Sequence, residues 1–113
     1  MSGVYGIYVN DKLVYIGSTT RSFDVRFKEH RGRMLDKDWE GQPKLYQRLR
    51  EAFERGDRIQ LIPLVEVERM KKKGKGISKR DLAIMELAFI SCYLPECNIE
   101  GVEKPYFIPY KEN

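Results

Sequence analysis

The opening stretch, residues 3–17, constrains the fold more than any other part of the chain. Two runs rich in β-branched and aromatic residues, 3–9 and 13–17, flank the polar break Asn10-Asp11-Lys12. This pattern predicts a β-hairpin, in which two antiparallel strands are joined by a tight polar turn. The hairpin therefore supplies the first two strands of a small sheet.

The length of the hairpin loop decides which tyrosine shares a face of the sheet with Tyr15. A two-residue loop at 10–11 would place Tyr8 on that face, whereas a three-residue loop at 10–12 would place Tyr5 there. Side chains alternate along a strand, so one residue of loop length moves every partner to the other face. From the residues alone, both registers stay open.

A polar turn at 18–20 leads into a predicted helix that begins after Ser22 as N-cap and runs to about Met34. Arg26 and His30 lie one turn apart on a face next to the apolar stripe, so both can reach a site at the sheet edge. Each also has a structural interpretation, as a surface arginine or as a buried, hydrogen-bonded histidine. The apolar stripe consists of Phe23, Phe27 and Met34.

The middle of the chain predicts a second helix and a third strand. Pro43 suits the first helical position, and Gly56 suits the helix end. Trp39, in the loop before the helix, is expected to anchor that loop. The segment 59–67 is rich in β-formers, and Pro63 within it favours an edge strand or a bulge. The buried stripe of the second helix is predicted to be Leu45, Leu49, Ala52 and Phe53.

A third helix is predicted over 82–92, preceded by the capping pair Ser78 and Asp81. It is apolar nearly all round, which indicates a buried helix. Glu86 is its only charge, and a buried carboxylate is costly without a partner. Two interpretations follow, a salt bridge to an arginine or a metal ligand.

The positive charge of the chain is concentrated in one segment. The formal net charge is +4, and the stretch 69–80 alone holds seven basic residues and no acidic one. Such a segment attracts nucleic-acid phosphates, although a solvated loop has the same composition. The candidates for contact with nucleic acid are Lys71, Lys72, Lys73, Lys75, Lys79 and Arg80.

Length and composition predict one domain over residues 1–113. No apolar run approaches the roughly 20 residues of a membrane span, and no export signal is visible at the start of the chain. Cys92 and Cys97 lack partners at metal-binding spacing, which indicates reduced thiols that are packed or inert. We therefore expect a cytoplasmic protein without a membrane partner.

Six ordered positions give the chain a specific resemblance. Gly3-Val4-Tyr5 and Tyr15-Ile16-Gly17 are followed by Arg26, His30, Glu86 and Asn98. This order resembles the GIY-YIG nuclease superfamily over nearly the whole chain. The literal Gly-Ile-Tyr string at 6–8 lies too close to the second motif, because the family separates its motifs by about ten residues. The family spacing therefore favours Tyr5 over Tyr8.

The resemblance implies an α/β (α+β) fold in which a small three-stranded antiparallel sheet is flanked by helices. It also implies a DNA endonuclease that leaves 5′-phosphate and 3′-hydroxyl ends. A Mg²⁺ or Mn²⁺ ion on Glu86 would polarise the phosphate and stabilise the leaving oxygen. Arg26 would hold the non-bridging phosphate oxygens.

The same resemblance assigns roles to the remaining site residues. Tyr5 is expected to be the general base, with its pKa lowered from about 10 by Arg26 and the metal. Tyr15 would orient the water or the phosphate, His30 would accept or relay a proton, and Asn98 would organise the site by hydrogen bonds.

The segment 44–49, with Phe53 and Gly56, also looks like the phage and intron homing branch of the superfamily. That branch normally adds a linker and a separate DNA-binding region, which this chain does not show. An isolated catalytic fragment, a structure-selective nuclease and a restriction-type enzyme therefore stay open. The alternative from another class is a non-catalytic nucleic-acid-binding module that keeps the fold.

Overall fold

The computed structural model describes residues 2–67 and 79–98, and all structural statements below concern these residues. They form three strands, three helices and a short 3₁₀ turn. In chain order these are β1 (Ser2–Val9), β2 (Lys12–Thr19), α1 (Phe23–Leu35), α2 (Pro43–Arg55), β3 (Ile59–Val67), α3 (Lys79–Tyr93) and the 3₁₀ turn (Glu96–Asn98).

The three strands form one antiparallel sheet in the order β2-β1-β3. α1 and α2 pack on one face of the sheet, and α3 packs on the other face. This arrangement confirms the predicted α+β fold with a three-stranded antiparallel sheet between helices. β1 is the central strand and is buried over almost its whole length.

The hairpin combines a two-residue turn with a β-bulge. Asn10 and Asp11 have φ angles of 50° and 70°, as a tight type I′ turn requires. The turn alone would place Tyr8 with Tyr15, but the register shifts by one residue between Ile7 and Tyr8. As a result Ile7 pairs with Tyr15, and Tyr5 joins Tyr15 on the face of α1 and α2.

Gly3 and Gly17, the glycines that begin β1's Gly3-Val4-Tyr5 and end β2's Tyr15-Ile16-Gly17, allow close approaches that a side chain would block. Gly17 pairs with Tyr5, and a Cβ at Gly17 would lie 2.5 Å from the Tyr5 hydroxyl. Gly3 has a φ of 146°, and its Cβ would lie 1.8 Å from the carbonyl oxygen of Val65. Gly17 therefore leaves room for the Tyr5 ring, and Gly3 lets β3 approach β1.

The boundaries of α1 and α2 confirm the sequence signals. The Ser22 hydroxyl accepts a hydrogen bond from the backbone N–H of Val25 at 3.2 Å, which caps α1. Pro43 begins α2, and Gly56 ends it with a φ of 80°. The buried stripe predicted for α2 is wrong at Phe53, which is 54% exposed near the end of the helix.

Two strand predictions have different outcomes. β2 continues through Ser18 to Thr19, so the turn expected at 18–20 is wrong and the hairpin is longer. Pro63 lies on the edge strand β3, next to a register shift between Val4 and Tyr5 of the paired strand. Both positions predicted for this proline, an edge strand and a bulge, are therefore confirmed.

The prediction of a fully buried third helix is wrong. Within α3 only Leu82 is buried, whereas Ile84 and Leu87 are 60% and 62% exposed. The physical reason is that one stripe of α3 packs on the sheet, and no described element covers the opposite stripe. Partly buried side chains on the packed stripe are Met85, Phe89 and Ile90.

Some predictions fall outside the described residues. These are the capping role of Ser78 and the phosphate contacts of Lys71, Lys72, Lys73 and Lys75. Lys79 and Arg80 are described, and they lie exposed in the first turn of α3. Cys97 is packed as expected, but Cys92 is exposed. None of the described helices has the length and apolar character that crossing a membrane requires.

Candidate active site

A hydrogen-bonded cluster connects the hairpin to α1. The Tyr5 hydroxyl lies 2.7 Å from Nε2 of His30, and the Nε–H of Arg26 donates to the same hydroxyl at 3.1 Å. Arg26 and His30 are neighbours on α1, whose N-terminal half lies beside β1. The bulge in the hairpin lies at Val14 of β2 and brings Tyr15 onto the face of Tyr5 that α1 and α2 cover. The structure thus brings three predicted site residues into direct contact.

Tyr46 extends this cluster from α2. Its hydroxyl lies 2.8 Å from Nδ1 of His30, so the imidazole bridges two tyrosines. Tyr46 and His30 are each 1% exposed. Sequence analysis missed Tyr46, because a tyrosine next to an apolar helical stripe looks like an ordinary core residue.

The His30 imidazole is held in its neutral form. Its pKa is lowered from 6.5 to about 3, mainly by burial and also by the charges of Arg26 and Arg33, against an opposing effect of Glu29. A neutral imidazole has one donor and one acceptor nitrogen. His30 is therefore suited to direct and pass protons between its neighbours at neutral pH.

Arg26 by itself does not produce the depression of the Tyr5 pKa that was expected from Arg26 and the metal together. Burial raises the pKa of Tyr5, and Tyr15 raises it further. Arg26 lowers it by charge and hydrogen bonding without offsetting the burial. Tyr5 thus holds its proton tightly, and a role as base requires additional stabilisation of the phenolate.

Arg26 is oriented by a carboxylate on its own helix. Its Nη1–H donates to Oε1 of Glu29 at 2.9 Å, while Arg21 pairs with the other oxygen of the same carboxylate. Burial lowers the pKa of Arg26, but Tyr5 and Glu29 outweigh this effect and the net shift is upward. The guanidinium therefore stays charged, with Nε directed at Tyr5.

A polar cleft of about 320 Å³ opens beside Arg26. Three cationic side chains and three hydroxyls contribute to its wall, which is a donor set that suits a phosphate. The lining residues are Ser18, Thr19, Thr20, Arg21, Arg26, Lys79 and Leu82. Ser18 and Thr19 belong to the end of β2 that follows Tyr15-Ile16-Gly17.

Glu86 reaches this region from α3. Its Oε1 accepts a hydrogen bond from the Ser18 hydroxyl at 2.6 Å. Within 2–67 and 79–98 no arginine or lysine forms an ion pair with Glu86, so the salt bridge, one of the two interpretations of Glu86, is not found there. Burial is the main cause that raises the pKa of Tyr5 and of Tyr15, and the charge of Glu86 also raises both. Its carboxylate therefore lies close enough to act on both hydroxyls.

The surroundings of Glu86 suit a cation that keeps most of its water ligands better than a cation bound by several protein ligands. The residues described contain no group of three or more histidine, cysteine or acidic side chains that would enclose a metal. Oε2 of Glu86 has no hydrogen bond or ion pair within 2–67 and 79–98. Mg²⁺ commonly takes one or two carboxylates and keeps several waters, so one open carboxylate oxygen is compatible with it.

Tyr15 is held by Gln42, another residue that sequence analysis missed. The Nε2–H of Gln42 donates to the Tyr15 hydroxyl at 2.9 Å. Burial raises the pKa of Tyr15, and this hydrogen bond lowers it in part. Gln42 adopts a left-handed backbone with φ of 48° and does not cap α2 with its side chain. Nothing in the sequence signals this conformation, which is uncommon outside glycine.

Asn98 secures the outer edge of the hairpin. Its Oδ1 accepts from the backbone N–H of Ile16 at 2.7 Å, and its Nδ2–H donates to the Ile16 carbonyl at 2.8 Å. The amide side chain thus replaces a neighbouring strand at the edge of β2. Asn98, Tyr15 and Glu86 also line a second cleft of about 410 Å³. Asn98 therefore positions the strand that carries Tyr15.

A third cavity, of about 260 Å³, is lined by His30 and by residues of α1, α2, β1 and β3. Its wall is mainly apolar, with Ile7, Phe27 and Met34 among the lining residues. A mainly apolar wall suits a phosphate less well than the cleft beside Arg26 does.

Comparisons with known proteins identify a shared fold. No protein-family model matches the sequence, and a search of curated proteins found no similar sequence. A search of solved structures matched a point mutant of bacteriophage T4 EndoII with a TM-score of 0.60. The match has 21% sequence identity and covers 84% of this chain and 71% of that chain. This chain therefore has the fold of EndoII.

Proposed function

We propose that the protein is a DNA endonuclease that hydrolyses phosphodiester bonds with the help of a divalent cation. The observation that carries the proposal is the cluster of Tyr5, Arg26 and His30 beside a cleft lined by cations and hydroxyls. The shared fold with a phage protein named EndoII supports it. So does the resemblance of the ordered site positions to the GIY-YIG superfamily.

The proposed reaction uses Tyr5 as the base. Deprotonated Tyr5 takes a proton from a water molecule, whose oxygen forms a bond to phosphorus. The bond between phosphorus and the 3′ oxygen breaks, and this oxygen leaves with its electron pair and takes a proton from solvent. The products carry a 5′-phosphate and a 3′-hydroxyl.

Other residues bind and orient the DNA. Arg26 lines the cleft and carries a charge that the transition state can use, because its Nη2 has no bond within the described part of the chain. Lys79 lines the same cleft, and Arg80 follows it on α3, so both can contact neighbouring phosphates. Tyr15, held by Gln42, orients the water or phosphate from β2.

The cation is proposed to bind the open oxygen of Glu86. A Mg²⁺ or Mn²⁺ ion there would polarise the phosphate and stabilise the leaving 3′ oxygen. Ser18 fixes the rotation of the carboxylate by its hydrogen bond and leaves Oε2 available.

Nicking of a supercoiled plasmid with Mg²⁺, with Mn²⁺ and with EDTA tests the proposal. We expect cleavage with either metal and none with EDTA. Arg26→Ala should lower the cleavage rate by about 10²–10³-fold, because a charged donor to the phosphate is lost. Arg31→Ala is the matched control, since Arg31 is exposed on the same helix and lines the apolar cavity instead.

Two results would contradict the proposal. Wild-type protein that binds DNA without cutting it under any metal would favour the non-catalytic binding module. Equal cleavage by the Arg26 and Arg31 variants would remove Arg26 from the chemistry. Analysis of the cut ends by ligation tests the 5′-phosphate and 3′-hydroxyl assignment. The assignment to a homing branch stays a prediction that the sites cut in a larger DNA would test.

A further inference from the structure

Glu29 has no part in the reaction as proposed, yet its carboxylate joins two of the cations that line the cleft beside Arg26. Its Oε1 accepts from Nη1–H of Arg26 at 2.9 Å, and its Oε2 accepts from Nη2–H of Arg21. Arg26 and Glu29 lie one turn apart on α1, whereas Arg21 lies between β2 and α1. One carboxylate thus connects two separate pieces of the cleft wall.

The guanidinium of Arg26 is held by hydrogen bonds on two different nitrogens. Nε–H donates to the Tyr5 hydroxyl at 3.1 Å, and Nη1–H donates to Glu29. Two bonds restrict the rotation of a rigid planar group far more than one bond does. Without Glu29, the bond to Tyr5 alone would remain among the described residues. Glu29 therefore helps to determine where Nη2, the nitrogen available to a phosphate, is placed.

Arg21 is anchored at both of its ends. Its backbone N–H donates to Oγ1 of Thr19 at 3.0 Å, and its side chain ends on Glu29. Within 2–67 and 79–98 its Nε and Nη1 make no hydrogen bond, so both can donate to an anion in the cleft. Because the pair with Glu29 already orders this side chain, binding a phosphate costs it less conformational entropy.

The charge of Glu29 has an effect opposite to that of its hydrogen bonds. Bonds from Arg26 and from Arg21 lower the pKa of Glu29, so its carboxylate is ionised at neutral pH. An anion beside the cleft repels DNA phosphates and offsets one of the two arginine charges. Glu29 therefore weakens the attraction of DNA while it orders the donors. Because the two effects have opposite signs, they can be measured separately.

We propose that Glu29 is a positioning residue that holds the guanidiniums of Arg21 and Arg26 in place for a DNA phosphate in the cleft. Arg21 joins Arg26 as a direct contact of that phosphate. This role rests on the proposed function, because the cleft is taken to bind the phosphate that is cut. The ordering of Arg26 by Glu29 can nevertheless be measured without cleavage.

The first experiment measures the motion of the Arg26 side chain in the full-length protein without DNA. Its Nε–H signal is identified in a ¹H–¹⁵N spectrum by its loss in Arg26→Ala, and the heteronuclear NOE reports motion on the ps–ns timescale. We expect a rigid Nε–H in the wild type and a lower NOE in Glu29→Gln. Asp24→Asn is the matched control, because Asp24 has the same charge on α1 but pairs with Lys28. A mobile Nε–H in the wild type, or an equal NOE in Glu29→Gln, would overturn the positioning role.

DNA binding and cleavage then test the consequence for the reaction. A fluorescein-labelled duplex in EDTA should bind Glu29→Gln about 2–10-fold more tightly than wild type, because a negative charge beside the phosphate is removed. With Mg²⁺ and saturating DNA, the same variant should cut about 10–100-fold more slowly, because misplaced donors stabilise the transition state less. A general structural defect would weaken both binding and cleavage. Asp24→Asn should change neither by more than about twofold.

The Arg26→Ala background decides whether Glu29 acts through the arginine. There the rate loss from Glu29→Gln should shrink to about threefold or less, since Arg21 alone is left to be positioned. An equal rate loss in both backgrounds, or unchanged cleavage by Glu29→Gln, would overturn the inference. A wild type that never cuts DNA, but whose rigid Arg26 Nε–H becomes mobile in Glu29→Gln, would contradict the proposed function alone.

Discussion

The two faces of the central strand β1 bury their side chains in different ways. The helix-pair face, packed by α1 and α2, contains Tyr5, Tyr15 and Tyr46 within its hydrophobic cluster. The α3 face has a smaller cluster of Val4, Ile16 and Leu82, and its polar pair Ser18–Glu86 is only partly buried. One face thus combines the larger core with the tyrosines and the imidazole, whereas the other has a smaller apolar core beside the Ser18–Glu86 pair.

This difference shows where the chain tolerates polar groups in its interior. On the helix-pair face the hydroxyls and the imidazole are bonded to one another, which reduces the cost of burying them. On the α3 face the cluster is apolar, and hydrophobic burial alone holds it. Substitutions of the bonded hydroxyls on the helix-pair face should therefore affect activity, whereas substitutions of the buried apolar residues on the α3 face should affect stability.

The largest expected effect comes from making the same substitution on both faces of β1. Tyr5→Phe should lower kcat/KM for plasmid cleavage by about 10²–10⁴-fold, because the proposed base is removed. Tyr8→Phe changes a tyrosine of the same strand whose side chain lies on the α3 face. Its kcat/KM should stay within about twofold of the wild-type value. Cleavage rates with circular dichroism spectra check both variants. A greater loss in Tyr8→Phe would show that the wrong face was assigned to the chemistry.

The next effect concerns stability on the α3 face. Leu82→Ala should lower the free energy of unfolding by about 2–5 kcal/mol, because Leu82 is buried against Val4 and Ile16. Leu87→Ala, on the exposed stripe of the same helix, should change it by less than about 0.5 kcal/mol. Urea unfolding curves measure both values. Equal losses would mean that the exposed stripe of α3 is covered in solution.

The smallest effect is a pH dependence that belongs to the helix-pair face. The pKa of His30 is 6.5 in the unfolded chain and about 3 in the fold. Below about pH 6.5 the unfolded chain therefore binds a proton that the folded chain refuses, and stability falls as the pH falls. Between about pH 7 and pH 5 the loss should be about 2 kcal/mol.

Urea unfolding at the two pH values tests this linkage, with His30→Gln as the control. The variant is expected to be less stable at neutral pH but to lose little more on acidification, because it has no histidine. The carboxylates whose pKa values are lowered, such as Glu29, titrate below this range and contribute little. A wild-type stability that stays constant to pH 5 would show that His30 is protonated inside the fold.

Local signals in the sequence predicted much of the architecture. The hairpin turn, the Ser22 cap, and the Pro43 and Gly56 boundaries of α2 follow from neighbouring residues. Each depends on the conformational preferences of a few positions, so no distant contact is needed to predict it. Likewise, the three-stranded antiparallel sheet with flanking helices was expected from the resemblance and is confirmed.

The site was only partly accessible from the sequence. Tyr5, Arg26 and His30 were named as candidates, and the fold brings them into contact. Tyr46 and Gln42 were missed, because a residue that bonds 16 or 27 positions away carries no local pattern. The sequence also shows the nearby charge of Arg26 but not the depth of burial, which outweighs that charge and raises the pKa of Tyr5.

Local residue preferences were enough to predict a tight hairpin followed by a helix that carries Arg26 and His30. Which tyrosine shares a face with Tyr15 depends instead on long-range packing. The two-residue turn alone favours Tyr8, but packing of α1 and α2 against the sheet accompanies a bulge that selects Tyr5. A bulge costs little locally and is stabilised by contacts from distant segments, which is why the neighbouring residues could not reveal it.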